Sequence, residues 1–413
     1  MKVVIVNAYD RHNAGDAALL NALIGQTVAA FPEADLRYAS LEHPVHDPTY
    51  DGIRNLGSVR RWVGEETVGR VVRIARKTAV LTLAAMPGPL LSWVVRRGLG
   101  ARWSEPIGEI RAVMDADVVV GLGGGYLNGA TSLAGTLNVL FLLLPIWLAT
   151  RFRRPVVLAP QSYGPFGTAL QVLLVRRCLN RVNRIVVRED LSLAELITAG
   201  VRPDLVERGV DSAFVFGSPR SRSSSSATSA VPQVGITARQ WLRGPDQESY
   251  ERSLAAFVDW LEDSEGAFVT LIPQVTSHYQ NDDDRLVSRR IASYCRSSPK
   301  VLDSELSHRE LRDLYGNLDY LVGTRFHSVI FSLTVGTPAL AIEYERKTSG
   351  IMKDLGLDEW VIPIHEVSAP RLRHDFLELK ARRDTYLRVL HQSLPAYVGR
   401  AQEFSTVLRT SVA

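Results

Sequence analysis

The 413-residue chain has two cysteines, Cys178 and Cys295, far apart in sequence. Nothing in them suggests a disulfide framework or a zinc site, and a reducing compartment fits. Charge of one sign is also missing. Lys and Arg total 48 against 44 Asp and Glu, which gives a net charge of +4 and an isoelectric point near 9.0. So mild a balance gives no electrostatic footprint for nucleic acid, and no DNA- or RNA-binding motif occurs. It suits anionic substrates or an anionic membrane face. Each apolar run falls short of the roughly twenty residues that span a bilayer. The run in MKVVIVNAYD is too short for a signal peptide and reads as a buried strand. No GxGxxG follows that strand, so the usual dinucleotide fingerprint is absent.

What is present is apolar residues at 46% and charged residues at 22%, ordinary for a globular protein with large cores. The length predicts two domains. Lys2–Ala8 reads as the first strand, and Asn13–Asp16 as a turn. A helix follows from about Asp16, which has the plain role of a cap. Asp115–Leu122 is a further strand, and Gly123, Gly124 and Gly125 after it form a loop that lets backbone approach a ligand. Leu137–Trp147 is an apolar core helix. The Ser-rich stretch Ser218–Pro232 is a linker. Strands alternate with helices on both sides of it, which predicts an α/β fold with two parallel sheets. The expected architecture is two doubly wound, Rossmann-like domains facing a central cleft. Residues 1–217 form the N-terminal domain, 218–232 the linker and 233–413 the C-terminal domain with its terminal helices.

Residues 60–104 read as an insert in the first domain. Ala79–Val95 is nearly all apolar, broken by Pro87-Gly88-Pro89 and flanked by Arg70, Arg73, Arg76, Lys77, Arg96 and Arg97. Each half is too short to cross a membrane. Two short helices are expected, either packed on the protein or in peripheral contact with an anionic membrane.

Asp319–Met352 carries the densest chemistry. Tyr320–Val322 reads as a strand, Ser328–Val335 as a short helix stopped by Gly336, and Pro338–Ile342 as a second strand. Arg325 and His327 then sit where a strand hands over to a helix, at the carboxyl edge of a parallel sheet. The helix start, with unpaired N–H groups near Ser328, and the fork of Arg325 favour a small carboxylate or phosphate. His327 is the group able to move a proton near neutral pH. Asp16, Arg239 and Gln274 are expected to point into the same cleft, along with the glycine loop.

These residues belong to an ordered series: NAGDAALLNAL, GLGGGYLNG, APQSYGPF, VVREDLSLAEL with GVDSAF, VGITARQW, LIPQ followed by DDDR, and GTRFHSVIFSLTVGTPALAIEYERKTSGIM. The series resembles the polysaccharide pyruvyl transferase family over nearly the whole chain, apart from the insert and the linker. The resemblance implies a fold like glycosyltransferase type B. It implies transfer of the enolpyruvyl skeleton of phosphoenolpyruvate to two hydroxyls of a sugar, giving a pyruvate ketal. It also implies donor contacts from Arg325, Arg239 and Lys347, with Ser328, Gly123–Gly125, Asn13 and Gln274 around the substrates. His327 would be the acid, and Asp16 a base or acceptor contact. No cofactor or metal is called for, and the acceptor is a sugar, soluble or lipid-linked, at the cytoplasmic face. Arg325 would act as a ligand residue whose replacement by lysine costs little stability. The alternative is a nucleotide-sugar glycosyltransferase of the same architecture. A non-catalytic sugar-binding or scaffolding protein would have no need of an anion-plus-proton site. The sequence does not fix an oligomeric state.

Overall fold

The computed structural model describes residues 1–47, 50, 52–100, 103–217, 231–277 and 282–412. Most of the expected linker therefore lies outside the described residues, as do residues 278–281 of the loop before the DDDR motif. Contacts divide the chain into two units. The first comprises Met1–Asp10, Leu19–Ser212 and Gln402–Ala413; the second comprises Arg11–Ala18 and Ala213–Ala401. This differs from a simple division at the linker. Arg11–Ala18 counts with the second unit because its backbone bonds there: Ala14 N–H donates to the Gln274 carbonyl (3.1 Å) and Thr276 N–H to the His12 carbonyl (2.9 Å).

The first sheet is built from β1 (Lys2–Val6), β2 (Asp35–Tyr38), β3 (Val45–Asp47), β4 (Ile53–Asn55), β5 (Val118–Gly121), β6 (Gly124–Gly129), β7 (Val156–Phe166), β8 (Arg184–Val187) and β9 (Val206–Arg208). Its order is β3-β4-β2-β1-β5-β7-β8-β9, with β6 alongside β7; the pairs are parallel except β3 with β4. Strands such as β5, VVVG, are apolar throughout because helices cover both faces of a parallel sheet. The glycines expected in a loop lead into a strand instead: Gly124 opens β6.

The helices of this region are α1 (Ala14–Ala30), α2 (Val59–Gly64), α3 (Arg70–Ala85), α4 (Gly88–Arg97), α5 (Ser104–Asp115), α6 (Leu133–Arg151), α7 (Ala169–Leu179) and α8 (Asp190–Thr198). Asp16 is not the cap of α1; the Asn13 side chain accepts from Gly15 N–H (3.1 Å) in that role. Helix α6 is 19 residues long rather than the eleven expected, so its length does not argue against a membrane span. Its packing does argue for core: Val139, Leu142, Ile146 and Ala149 are fully buried in the first unit. Within the insert, α3 starts nine residues before the expected apolar segment, and Pro87 caps α4. Arg151 donates to the Ala84 and Met86 carbonyls, which satisfies the exposed end of α3.

The second sheet contains β10 (Gln233–Thr237), β11 (Phe268–Leu271), β12 (Lys300–Val301), β13 (Tyr320–Gly323), β14 (Ala339–Glu343) and β15 (Val361–Pro363). The order β12-β11-β10-β13-β14-β15 is parallel throughout. The chain moves outward in one direction from β10 and in the other from β13, so a topological switch point lies between these two neighbours. Ligands of open parallel sheets bind at the carboxyl ends beside such a point. Around this sheet lie α9 (Pro245–Glu265), α10 (Asp284–Tyr294), α11 (His308–Gly316), α12 (Phe326–Val335), α13 (Lys347–Asp354), α14 (Ala369–Ala381) and α15 (Arg383–Gln402). Helix α12 is buried on nearly all sides: Ile330, Phe331 and Leu333 are at most 1% exposed, and the hydroxyls of Ser332 and Thr334 bond to backbone carbonyls. Each of the three apolar side chains contributes about 1.5–3 kcal/mol of burial. Gly336, with φ of 81°, ends the helix in the left-handed conformation that other residues adopt only at a cost.

Candidate active site

The switch point of the second sheet fixes two loops. One leaves β10 at Thr237 and carries Arg239; the other leaves β13 at Gly323 and carries Arg325 and His327. Thr237 ties them together. Its hydroxyl accepts from the N–H of Thr324 (3.1 Å) and Arg325 (3.4 Å) and bonds to the Ser328 hydroxyl (2.8 Å). Ser328 also donates to the Arg325 carbonyl (2.6 Å) and is fully buried. It is therefore a brace of the loop, and the expected contact from Ser328 to substrate is corrected.

Arg325 differs from expectation too. Its fork is not open. Nε lies 3.0 and 2.9 Å from the two Asp284 oxygens, and Nη2 reaches Asp284 Oδ1 at 2.6 Å and Asp282 Oδ1 at 3.0 Å. Among the described residues Nη1 has no partner, so one edge of the guanidinium is left. Burial disfavours the cation, but Asp284 and Asp282 outweigh it and hold the Arg325 pKa above its ordinary value. Asp284 opens α10 and also accepts from the N–H groups of Gln274 (3.1 Å) and Val275 (3.0 Å). Gln274 in turn accepts from the Tyr315 hydroxyl (2.8 Å) through its own side chain. Gln274 thus positions the loop that holds Asp284.

The same loop carries the segment Arg11–Ala18. Asn13 bridges to Val275, and Gly15 is pressed on the His327 ring. A Cβ on Gly15 would come within 2.1 Å of His327 Nδ1, so only glycine fits there. Asp16, the next residue and half-buried, is thereby carried into the neighbourhood of His327. Asn13, Asp16, Gln274, Arg325 and His327 thus belong to one connected assembly.

Arg239 and Lys347 meet at a residue that sequence reasoning did not single out, Tyr344. The Arg239 guanidinium lies 4.3 Å from the centre of the Tyr344 ring and 4.8 Å from that of Trp241. It makes no hydrogen bond or ion pair among the described residues, and its buried Nε is unpartnered. Lys347 bonds Glu345 at 2.6 Å, with its ammonium 5.4 Å from the Tyr344 ring and 5.3 Å from Phe326. Burial would push the Tyr344 phenol up, but the charges of Lys347, Arg239 and Arg325 together bring it below its ordinary value. A phenol ringed by three cations donates well to an anion. The signals for the residues missed were present in the motifs already noted: Trp241 in ARQW, Asp284 in DDDR and Tyr344 in YERK.

Gly123, Gly124 and Gly125 belong to the first unit, at the carboxyl end of β5. Gly123 is packed so close to Pro160 that a Cβ would meet its carbonyl oxygen at 2.4 Å. Among the described residues, no group of three or more His, Cys, Asp or Glu is placed to hold a metal ion.

A sequence model of polysaccharide pyruvyl transferases matches residues 13–346, from the cap of α1 to the end of the YER stretch. The chain belongs to the polysaccharide pyruvyl transferase family. The pyruvyl transferase match takes in the candidate residues except Lys347, which lies one position beyond it. The chain is 30% identical over 224 residues to the amylovoran biosynthesis protein AmsJ of Erwinia amylovora. That stretch is 50% of this chain and 53% of AmsJ, so the match spans about half the length of the curated relative. Among solved structures, the UDP-GlcNAc 2-epimerase of Neisseria meningitidis bound to UDP-GlcNAc superposes with a TM-score of 0.54 at 10% identity, covering 100% of this chain and 99% of that one. Anabaena HepE in complex with UDP gives 0.54 at 12% identity, covering 99% and 100%. At such identities the likeness is one of fold. This pyruvyl transferase family member therefore has the α/β fold of glycosyltransferase type B, as the family resemblance implies.

Proposed function

We propose that the chain moves the enolpyruvyl group of phosphoenolpyruvate onto two hydroxyls of a sugar in a cell-surface polysaccharide or its precursor, forming a pyruvate ketal. One observation carries the donor part. Arg239 is a guanidinium resting on two aromatic rings that touch each other, Trp241 and Tyr344, with no acidic partner among the described residues, and the Tyr344 phenol is brought low by cations. A cation so placed is completed by an anion. Phosphoenolpyruvate offers a carboxylate and a phosphate on one small frame. Arg239 and the free edge of Arg325 take one or both, with Lys347 and the Tyr344 hydroxyl beside them.

The chemistry then needs an acid for the methylene carbon and a base for the hydroxyls. Protonation of that carbon leaves an oxocarbenium-like centre. A sugar hydroxyl attacks it, phosphate departs with the electrons of its C–O bond, and the second hydroxyl closes the ring. His327 is assigned the acid role and Asp16 the base or acceptor contact. Asn13 and Gln274 hold the segment that carries Asp16. Gly123–Gly125, in the first unit, are assigned to the acceptor. Availability of phosphoenolpyruvate sets the reaction in the cytoplasm.

The second reading is a nucleotide-sugar glycosyltransferase, favoured by fold neighbours that carry UDP or UDP-GlcNAc. Fold alone does not choose between them. The test is incubation with phosphoenolpyruvate and lipid-linked or nucleotide-linked sugars, followed by mass spectrometry. The expected result is a mass gain equal to a pyruvate ketal, with release of inorganic phosphate. Glycosyl transfer from a nucleotide sugar, with phosphoenolpyruvate untouched, overturns the proposal.

A further inference from the structure

Helices α3 and α4 of the insert each have two apolar faces. On α3, Val80, Leu83 and Ala84 are buried in the core of the first unit. Val71 and Ile74 lie one turn apart on the opposite face, 80% and 55% exposed. On α4, Leu91 and Val95 are buried. Leu90 and Trp93, on the other side, are 46% and 57% exposed. A helix that only closes a core has a polar outer face. These two expose large side chains at helical spacing.

The charge around them is one-sided. The chain runs from Glu66 to Glu105 without another acidic residue, although acids nearly balance bases over the whole sequence. Arg70, Arg73 and Lys77 on α3 make no ion pair or side-chain hydrogen bond among the described residues. Arg97, beyond Trp93, stacks on its ring at 5.3 Å. Arg76 and Arg96, by contrast, pair with Glu65 and Asp115. Arg70 and Lys77, four and three positions from Ile74, therefore place unpaired cations beside its exposed side chain, while Arg73 is half-buried on the flank of the helix.

We infer that the exposed apolar residues of the insert dock on an anionic lipid bilayer. Trp93, Leu90, Val71 and Ile74 enter the headgroup boundary, while Arg70, Arg73 and Lys77 meet lipid phosphates. The complementarity favours a lipid surface because it joins insertion of scattered apolar side chains to a diffuse positive field. A specific protein partner would call for a contiguous apolar centre with a polar rim. The inference does not depend on which reaction the protein catalyses.

The full chain is mixed with phosphatidylcholine vesicles, with and without phosphatidylglycerol, and sedimented at low and high salt. Binding is expected only to the anionic vesicles and is weakened by salt. Exchanging Arg70, Arg73 and Lys77 together for glutamine is expected to lower vesicle affinity about a hundredfold, from about 1 kcal/mol per charge. Val71→Ser with Trp93→Ser is expected to abolish sedimentation at moderate salt. Arg70, Val71 and Trp93 are exposed and Arg73 and Lys77 half-buried, and unchanged circular dichroism and melting temperature report intact folding. Absence of binding to anionic vesicles at low salt overturns the inference, as does binding that survives either set of changes. Self-association without lipid that Trp93→Ser dissolves also overturns it, because the face then covers a second copy.

Discussion

Replacing Arg325 by methionine tests how the candidate site is held together. Arg325→Met removes every side-chain N–H that reaches Asp284, whose own side chain is 1% exposed. An uncompensated buried carboxylate costs about 3–5 kcal/mol. Two backbone N–H groups, of Gln274 and Val275, remain on Asp284 and draw the cost toward about 3 kcal/mol. The contact to Asp282 adds little, under about 1 kcal/mol, because that side chain is half-exposed. Adding Asp284→Asn removes the orphaned charge and keeps an oxygen for the backbone donors. The double variant is therefore expected to lose only about 1–2 kcal/mol, less than the Arg325→Met single variant, so the two changes are not additive. Urea unfolding followed by fluorescence is the assay, fitted with two transitions since the chain has two units. Trp241, Trp260 and Trp360 report on the second unit. A single variant within about 1 kcal/mol of wild type, with strictly additive changes in the double, would refute the reasoning. The structure also corrects the expectation that Arg325→Lys spares stability: lysine keeps the charge but not the fork that fills both Asp284 oxygens.

The remaining predictions concern chemistry and pH. His327→Asn is expected to keep phosphoenolpyruvate affinity by calorimetry and to lower turnover by roughly two to four orders of magnitude; an unchanged pH–rate profile would make His327 structural. Arg239→Ala should weaken phosphoenolpyruvate binding about 10–100-fold, the scale of one charge-assisted contact, and wild-type affinity would remove Arg239 from the site. Tyr344→Phe keeps the ring beside Arg239 and removes the hydroxyl; kcat/KM is expected to fall about tenfold with an unchanged melting temperature, and equal kinetics would place the hydroxyl outside the reaction. In the first unit, burial raises the Glu109 carboxyl to about 7 against the usual 4.5, opposed by its bond to Val59 N–H. Its folded pKa lies above the unfolded one, so stability is fully present below 4.5 and is lost as pH rises through 7. Glu109→Gln is therefore expected to be more stable than wild type at pH 8, by up to about 3 kcal/mol, and no different near pH 4, as urea unfolding at the two pH values would show.

The local pattern of the chain was enough to determine its architecture. Short apolar runs alternating with helical stretches, each stopped by a residue such as Gly336, dictate parallel sheets with covered faces. They also place Arg325 and His327 at a strand-to-helix handover, because that follows from the few residues on either side. Helix limits were less legible: α3 begins at Arg70 and α6 at Leu133, since propensity and tertiary packing extend a helix beyond its most apolar part. What only the tertiary structure decided is which side chains are spoken for. Arg325 reads as an open fork, but α10 brings Asp284 onto it from 41 positions away. Ser328 reads as a free helix start, but β10 sets Thr237 against its hydroxyl. Arg239, Trp241, Tyr344 and Lys347 come together because β10, β13 and β14 are neighbours in the sheet, an order no local spacing encodes. Side-chain partnership depends on strand order and burial, and both are properties of the whole fold: a charge excluded from water takes the nearest opposite charge that the packing supplies.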